Sequence, residues 1–136
     1  MREITNSELI AKAITMLKPR DLYLGNTAGG VACALVSAAG NVYCGVCIDI
    51  GSGIGFCAEH AAIAAMITAG ESRIAKIVAV WGQGTVLPPC GRCRELIYEI
   101  DEANLNHTEV ILWTDESVKL KELLPHPYHE VWAKPD

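Results

Sequence analysis

The sequence has little basic charge and no long apolar run. Its 136 residues include 11 Lys and Arg against 16 Asp and Glu, which gives a formal net charge of −5. No stretch gathers the basic side chains needed to follow a phosphate backbone, so a nucleic acid polymer is not expected as a partner. Apolar runs such as "AAIAAMITA" are far shorter than the ~20 residues of a membrane span. We therefore expect a small-molecule ligand and no membrane contact.

Internal repeats, low-complexity tracts and linkers are also missing. The start, "MREITNSELIAKAI", lacks the apolar core of a signal peptide. The length suits one ordinary domain, so we expect residues 1–136 to form a single domain located in the cytoplasm. Apolar residues make up 51% of the chain, slightly more than in an average soluble domain. Contacts between subunits would account for this surplus.

Hydrophobic periodicity predicts alternating helices and strands. An amphipathic helix with a capping box is expected over residues 5–18, followed by a hairpin of "VACALVS" and "NVYCGVCID". The hairpin is followed by a helix from Cys57 to Ala69 and a strand "KIVAVWG". After these we expect a helix with Pro89 in its first turn, a strand "TEVILWT" and a short helix "SVKLKELLP". This alternation implies parallel pairing through crossovers. We expect an α/β fold, a three-layer α/β/α sandwich around a mixed sheet.

Six cysteines are many for this length, namely Cys33, Cys44, Cys47, Cys57, Cys90 and Cys93. Without an export signal, metal ligation or thiol chemistry explains them better than disulfides. Cys90 and Cys93 stand three apart at a predicted helix start, so their thiols share one side, and Cys57 begins another helix. Helix N-termini lower thiol pKa values. Three converging thiolates would hold zinc with one open position, as catalytic sites do.

Glu59 lies two residues beyond Cys57 and has a separate predicted role. A buried carboxylate without a partner is costly, so core packing alone does not explain it. It could take a proton from a water in the open zinc position and pass that proton to a substrate. His60 and Arg92 are candidate donors near the ligands that would compensate the negative charge of a three-thiolate centre.

At these residues the chain resembles a known family. "CAEHAAI", followed after about 30 residues by "PCGRCREL", resembles the zinc-dependent cytidine deaminases, whose signature is a His or Cys ligand, a Glu two residues on, and Pro-Cys-x-x-Cys. A cysteine as first ligand is similar to the branch that acts on free nucleosides. The resemblance implies one zinc per subunit on Cys57, Cys90 and Cys93, with Glu59 as proton shuttle. It also implies release of ammonia from carbon 4 of a cytosine-type ring by a homotetramer.

The chain departs from this family's pattern on the second strand. The usual Asn-x-Glu, which binds ribose hydroxyls, is replaced by Cys47-Ile48-Asp49. Strand alternation puts Cys47 and Asp49 on one face. The candidate substrate contacts are therefore Cys47, Asp49 and Ala58. Ala58 lies between the first predicted metal ligand and the predicted catalytic acid.

Other differences widen the choice of substrate. Gly29 and Gly30 stand where the family has an aromatic residue before the first strand's valine. "GVCIDIGSGIGFCAE", "LPPCGRC" and Trp132 resemble the blasticidin S deaminases. The substrate is therefore expected to be an aminopyrimidine nucleoside, either cytidine in pyrimidine salvage or blasticidin S or another modified ring in detoxification.

Two alternatives use the same cysteines. Cys44 and Cys47 with Cys90 and Cys93 have the spacing of a structural four-cysteine zinc site. However, residues three apart on a strand face opposite sides, which argues against a joint role for Cys44 and Cys47. "CGRC" at a helix start is also typical of thiol–disulfide chemistry. A zinc-stabilised binding module and a deaminase-like interaction subunit are the non-enzymatic alternatives.

Overall fold

A computed structural model describes residues 3–114 and 116–133 of the chain. The helices are α1 Asn6–Met16, α2 Ala58–Thr68, α3 Gly91–Ile100, α4 Asn104–His107, α5 Leu120–Leu123 and α6 Glu130–Ala133. The strands are β1 Arg20–Asp21, β2 Thr27–Ser37, β3 Val42–Asp49, β4 Ile74–Trp81, β5 Thr85–Leu87, β6 Glu109–Trp113 and β7 Glu116–Lys119. Within the described residues, none of these helices has the length and apolar character that a membrane crossing needs.

Local signals place the helix starts close to their predicted positions. The Thr5 hydroxyl accepts from the Glu8 amide, and the Glu8 carboxylate accepts from the Thr5 amide, so the predicted capping box is present. Cys57 is the N-cap of α2 and Cys90 is the N-cap of α3. The placement of Pro89 in the first turn of α3 is wrong. Cys90 keeps an extended backbone, so the helix begins at Gly91 and Pro89 precedes the cap.

The sheet is mixed, as predicted, although most of its pairing is antiparallel. β2 pairs antiparallel with β3 on one side and with β4 on the other. Among the described strands, β4 and β6 form the single parallel pair, and β7 returns antiparallel along β6. Parallel pairing is rarer than predicted because α2 connects β3 to β4 across β2, which lies between them. The beginning of the predicted last helix is instead strand β7, because it pairs with β6.

Helices cover both faces of this sheet, which confirms the three-layer arrangement. Along β2, alternate side chains enter two separate clusters. One cluster packs α1 against Ala32, Ala34 and Val36. The other packs α2 and α3 against Cys33 and Leu35.

Cys44 and Cys47 of β3 also divide between these two clusters. Cys44 packs with the α1 cluster and Cys47 with the α2 cluster. They therefore lie against opposite faces of the sheet and do not form a joint metal site with Cys90 and Cys93.

The position of α2 depends on a close approach to β3. A Cβ atom at Gly45 would strike the backbone nitrogen of Ala62 and the Cβ of Ala61. Only the absence of a side chain lets the helix lie this close to the strand. Because α2 begins at Cys57, this packing also sets where the predicted metal ligand and Glu59 lie.

We expect Gly45→Ala to lower the free energy of unfolding by about 1–3 kcal/mol, because the added methyl overpacks the α2–β3 contact. Gly51→Ala is the matched control, since the nearest atom to a Cβ there is Asn26 Oδ1 at 3.8 Å. Urea unfolding followed by circular dichroism measures both. Equal stability of the two variants would contradict this account.

Candidate active site

Three cysteine sulfurs from two helix starts lie together. Cys57 caps α2, Cys90 caps α3, and Cys93 lies in the first turn of α3. The Sγ atoms of Cys57 and Cys90 are 3.4 Å apart, and those of Cys90 and Cys93 are 3.7 Å apart. All three sulfurs lie within 4.8 Å of one another. The structure thus brings together the three residues that the sequence predicted as metal ligands.

The spacing of these sulfurs fits tetrahedral zinc. Zinc–sulfur bonds of about 2.3 Å at tetrahedral angles place sulfurs roughly 3.8 Å apart, close to the observed separations. In the described part of the chain, no other group of three or more potential ligands from His, Cys, Asp and Glu converges in this way. Cys93 is buried, Cys57 is half-buried and Cys90 is exposed, so the cluster is accessible from one side. It is compatible with a three-cysteine zinc site.

Burial and the mutual contacts of the three thiols shift their pKa values. Burial raises the pKa of Cys57, and its hydrogen bond with Cys90 raises it further. Burial also raises the pKa of Cys93 strongly, with added repulsion from Glu59 and the two neighbouring thiols. Burial alone would raise the pKa of Cys90 as well. Hydrogen bonds, mainly those with the Cys93 backbone N–H and the Cys57 thiol, outweigh burial, so the pKa of Cys90 is lowered. A divalent cation would neutralise the charge that crowds these thiols.

A cavity of about 660 Å³ opens onto this cluster. Cys57 and Cys90 lie on its wall, together with Glu59. Apolar side chains form much of the remaining wall, including Val31, Phe56, Trp81, Leu87 and Pro88. A ligand in this cavity would therefore have an apolar environment for a ring and direct access to the thiols.

Glu59 is a buried acid in the first turn of α2. Its side chain lines the cavity although only 5% of the residue is exposed. Burial raises the pKa of this carboxyl, and its own backbone N–H partly offsets that effect. A carboxyl with a raised pKa is better matched to accepting and returning a proton near neutral pH.

Two of the three predicted substrate contacts line the cavity. Cys47 Sγ accepts from the Val31 amide at 3.2 Å and lies 3.6 Å from Asp49 Oδ2. Thr27 Oγ1 donates to the same Asp49 oxygen at 3.4 Å. Both Cys47 and Asp49 are on the cavity wall. Ala58 is fully buried in the core cluster beneath α2.

The predicted donors His60 and Arg92 contact each other. Arg92 Nη2 lies 3.4 Å from His60 Nδ1, and the His60 ring stacks on Phe56 with centroids 4.8 Å apart. Arg92 also lines the cavity. Within the described residues, neither side chain forms a hydrogen bond with a cysteine sulfur.

Arg94 has a positioning contact that sequence reasoning missed. Its Nε donates to the Pro89 carbonyl at 2.9 Å, and its Nη1 donates to the Leu123 carbonyl at 3.3 Å. The segment that leads into Cys90 is thereby tied to the end of α5. The sequence offered a partial signal, because Arg94 lies one helical turn beyond Cys90, but its partner Leu123 is 29 residues away.

Comparison with known proteins gives a consistent result. No protein-family model matches the chain. A cytidine deaminase of Mycobacterium tuberculosis is 39% identical over 51 residues, so the match spans 38% of this chain and 38% of that relative. Solved structures match over much more of their length. The M. tuberculosis cytidine deaminase has a TM-score of 0.77 and 26% identity, covering 93% of this chain and 98% of that one.

A second solved structure agrees with the first. The cytidine deaminase of Burkholderia pseudomallei has a TM-score of 0.74 and 28% identity, covering 92% of this chain and 100% of that one. The fold is therefore the α/β fold of cytidine deaminase structures. In sequence and structure the chain is similar to cytidine deaminases, and Cys57, Cys90 and Cys93 are compatible with a three-cysteine zinc site.

The purified wild-type protein is expected to contain about one zinc per chain, and Cys90→Ala is expected to lower its zinc affinity by at least about tenfold, because one of three ligands is lost. Cys90 is exposed, so this change opens no core cavity. Cys44→Ala, on the opposite face of the sheet, is the control and should keep its zinc. Elemental analysis and competition with a chelator measure both. Equal zinc affinity in the two variants would contradict the assignment.

Proposed function

We propose that the chain is a zinc-dependent hydrolytic deaminase of free cytosine-type nucleosides such as cytidine and deoxycytidine. The products would be the uracil form and ammonia. The observation that supports this best is a cluster of three thiols, two of which line the same cavity as the buried Glu59. The similarity to cytidine deaminases over nearly the whole chain adds support.

Cys57, Cys90 and Cys93 would hold one zinc ion per subunit. When bound there, zinc supplies Lewis-acid activation of the attacking water. The N-termini of α2 and α3, at which these ligands stand, offset part of the negative charge of three thiolates. Arg94 would keep the loop before Cys90 in place through its two carbonyl contacts.

Glu59 would move the protons of the reaction. It takes one proton from the attacking water and delivers it to the ring nitrogen beside carbon 4. The water oxygen forms a bond to carbon 4, and a second proton passes through Glu59 to the amino group. The bond between carbon 4 and that nitrogen then breaks, and ammonia leaves. The burial that raises the pKa of Glu59 suits both the acceptance and the return of a proton.

A modified substrate such as blasticidin S is the second candidate, and the cavity wall leaves room for it at one point. Gly30 lines the cavity, and a Cβ there would meet no atom within 4 Å. No side chain therefore fills this part of the wall. A larger or substituted ring could occupy the space, and the biological role would then be detoxification instead of pyrimidine salvage.

We also propose that the protein is a cytoplasmic homotetramer. All six cysteines are free, which suits a reducing compartment. Several large apolar side chains are exposed on the isolated chain, such as Tyr23 at 80%, Leu24 at 79% and Ile54 at 79%. Contacts between subunits would bury such side chains.

Sedimentation velocity is expected to give a mass four times the 14.6 kDa of one chain. Subunit association buries the exposed apolar side chains, so the tetramer should persist in dilute solution. A species of 14.6 kDa at micromolar concentration would contradict the tetramer.

Ammonia release from cytidine, deoxycytidine, cytosine, deoxycytidylate and blasticidin S tests the activity. Glu59→Gln is expected to stay folded and zinc-loaded but to lose about 100-fold or more of the rate, because the amide cannot accept the proton. Glu102→Gln, an exposed acid outside the cavity, should keep full activity. A zinc-stabilised binding module would instead show no turnover of any compound and the same ligand binding in both variants.

A further inference from the structure

Asp49 is an acid on the cavity wall with few partners. It is the last residue of β3, its side chain is exposed, and it lines the cavity. Its two contacts, with Thr27 Oγ1 at 3.4 Å and Cys47 Sγ at 3.6 Å, involve neutral groups. The first is longer than a well-formed hydroxyl–carboxylate hydrogen bond. A carboxylate can accept at about four lone-pair positions, so these two contacts leave most of the acceptor capacity of Asp49 unused.

Two acids elsewhere in the fold, by contrast, have charged or ionisable partners. Asp101 pairs with Arg73 at 3.1 Å, and Glu99 lies 2.6 Å from His129 Nδ1. Among residues 3–114 and 116–133, no Lys, Arg or His side chain forms an ion pair with Asp49. The described residues therefore leave a negative charge on the cavity wall without a cationic partner.

The cavity as a whole has more negative than positive groups. Asp49 and Glu59 are its acids, and Arg92 is its one basic side chain within the described residues. The Arg92 guanidinium already contacts His60 at 3.4 Å. Three thiolates with one divalent cation would add a further formal negative charge. Such a cavity attracts cationic ligands and repels anionic ones.

We propose that Asp49 is a specificity-determining residue for aminopyrimidines whose ring substituent ends in a cationic amine. This inference rests on the proposed deaminase function and concerns the substituent instead of the reacting ring. A protonated amine would donate to Asp49 and pair with its charge, whereas a hydroxyl would only donate. A phosphate would meet two acids and be disfavoured. The preference for amine over hydroxyl is expected to be about fivefold, the upper end of what exposed ion pairs contribute.

A charge series of one nucleoside tests this preference. Cytidine, 3′-amino-3′-deoxycytidine, 5′-amino-5′-deoxycytidine and cytidine 5′-phosphate would be compared at a pH at which both amines are protonated. The zinc-loaded wild-type protein should show kcat/KM about fivefold higher for the better amine than for cytidine, and lowest for the phosphate. Added salt should reduce the preference, because it screens exposed charges.

Asp49→Asn keeps the size of the side chain and removes its charge. In this variant the ratio of kcat/KM for the amine to kcat/KM for cytidine should fall to about one. Glu102→Gln should keep the wild-type ratio. Absence of an amine preference in the wild-type protein, or the same preference in Asp49→Asn, would overturn the proposal.

Binding to the Glu59→Gln protein separates this inference from the proposed function. If no compound reacts with the wild-type protein, the deaminase activity is wrong. The ratio of dissociation constants for amine and cytidine on Glu59→Gln still tests Asp49. If Glu59→Gln binds the amine about five times more tightly than cytidine, and the double variant with Asp49→Asn binds both equally, the charge preference is supported. Equal binding of the two compounds by Glu59→Gln itself overturns it.

Discussion

The contact between the starts of α2 and α3 is the constraint on which the site depends. Sulfur atoms from residues 33 positions apart lie 3.4 Å from each other, and both belong to N-cap residues. Burial, with added effects of the neighbouring thiols, raises the pKa values of Cys57 and Cys93, so the arrangement is unfavourable for thiolates alone. A bound divalent cation would convert this repulsion into ligation, so the stability of the helix pair and the chemistry of the cavity are linked.

β3 connects the packing of the fold with the choice of substrate. Gly45 lets α2 approach the strand closely, which places Cys57 and Glu59 beside the cavity. Four residues further along the same strand, Asp49 contributes to the cavity wall a charge that has no cationic partner among the described residues. Substitutions on β3 thus act in two ways. Those near Gly45 would move the reacting groups, and those near Asp49 would change which substituents bind without moving the metal ligands.

Sequence reasoning succeeded where the signal was local. The capping box of α1, the hairpin of β2 and β3, and the common side of Cys90 and Cys93 each follow from a few neighbouring residues. Features set by distant contacts were missed. The residues of β7 were predicted to begin a helix, because their pairing with β6 leaves no signal in the neighbouring residues. The contact of Arg94 with Leu123 likewise has no local pattern. That no described cation pairs with Asp49 likewise depends on the whole cavity.

X-ray absorption at the zinc edge tests the central claim most directly, because it reports the atoms bound to the metal. The account predicts three sulfur ligands at about 2.3 Å and one oxygen or nitrogen ligand at about 2.0 Å. This would show a centre with one position available to water or substrate. Four sulfur ligands, or a spectrum unchanged in Cys90→Ala, would contradict the three-cysteine site and the mechanism proposed for Glu59.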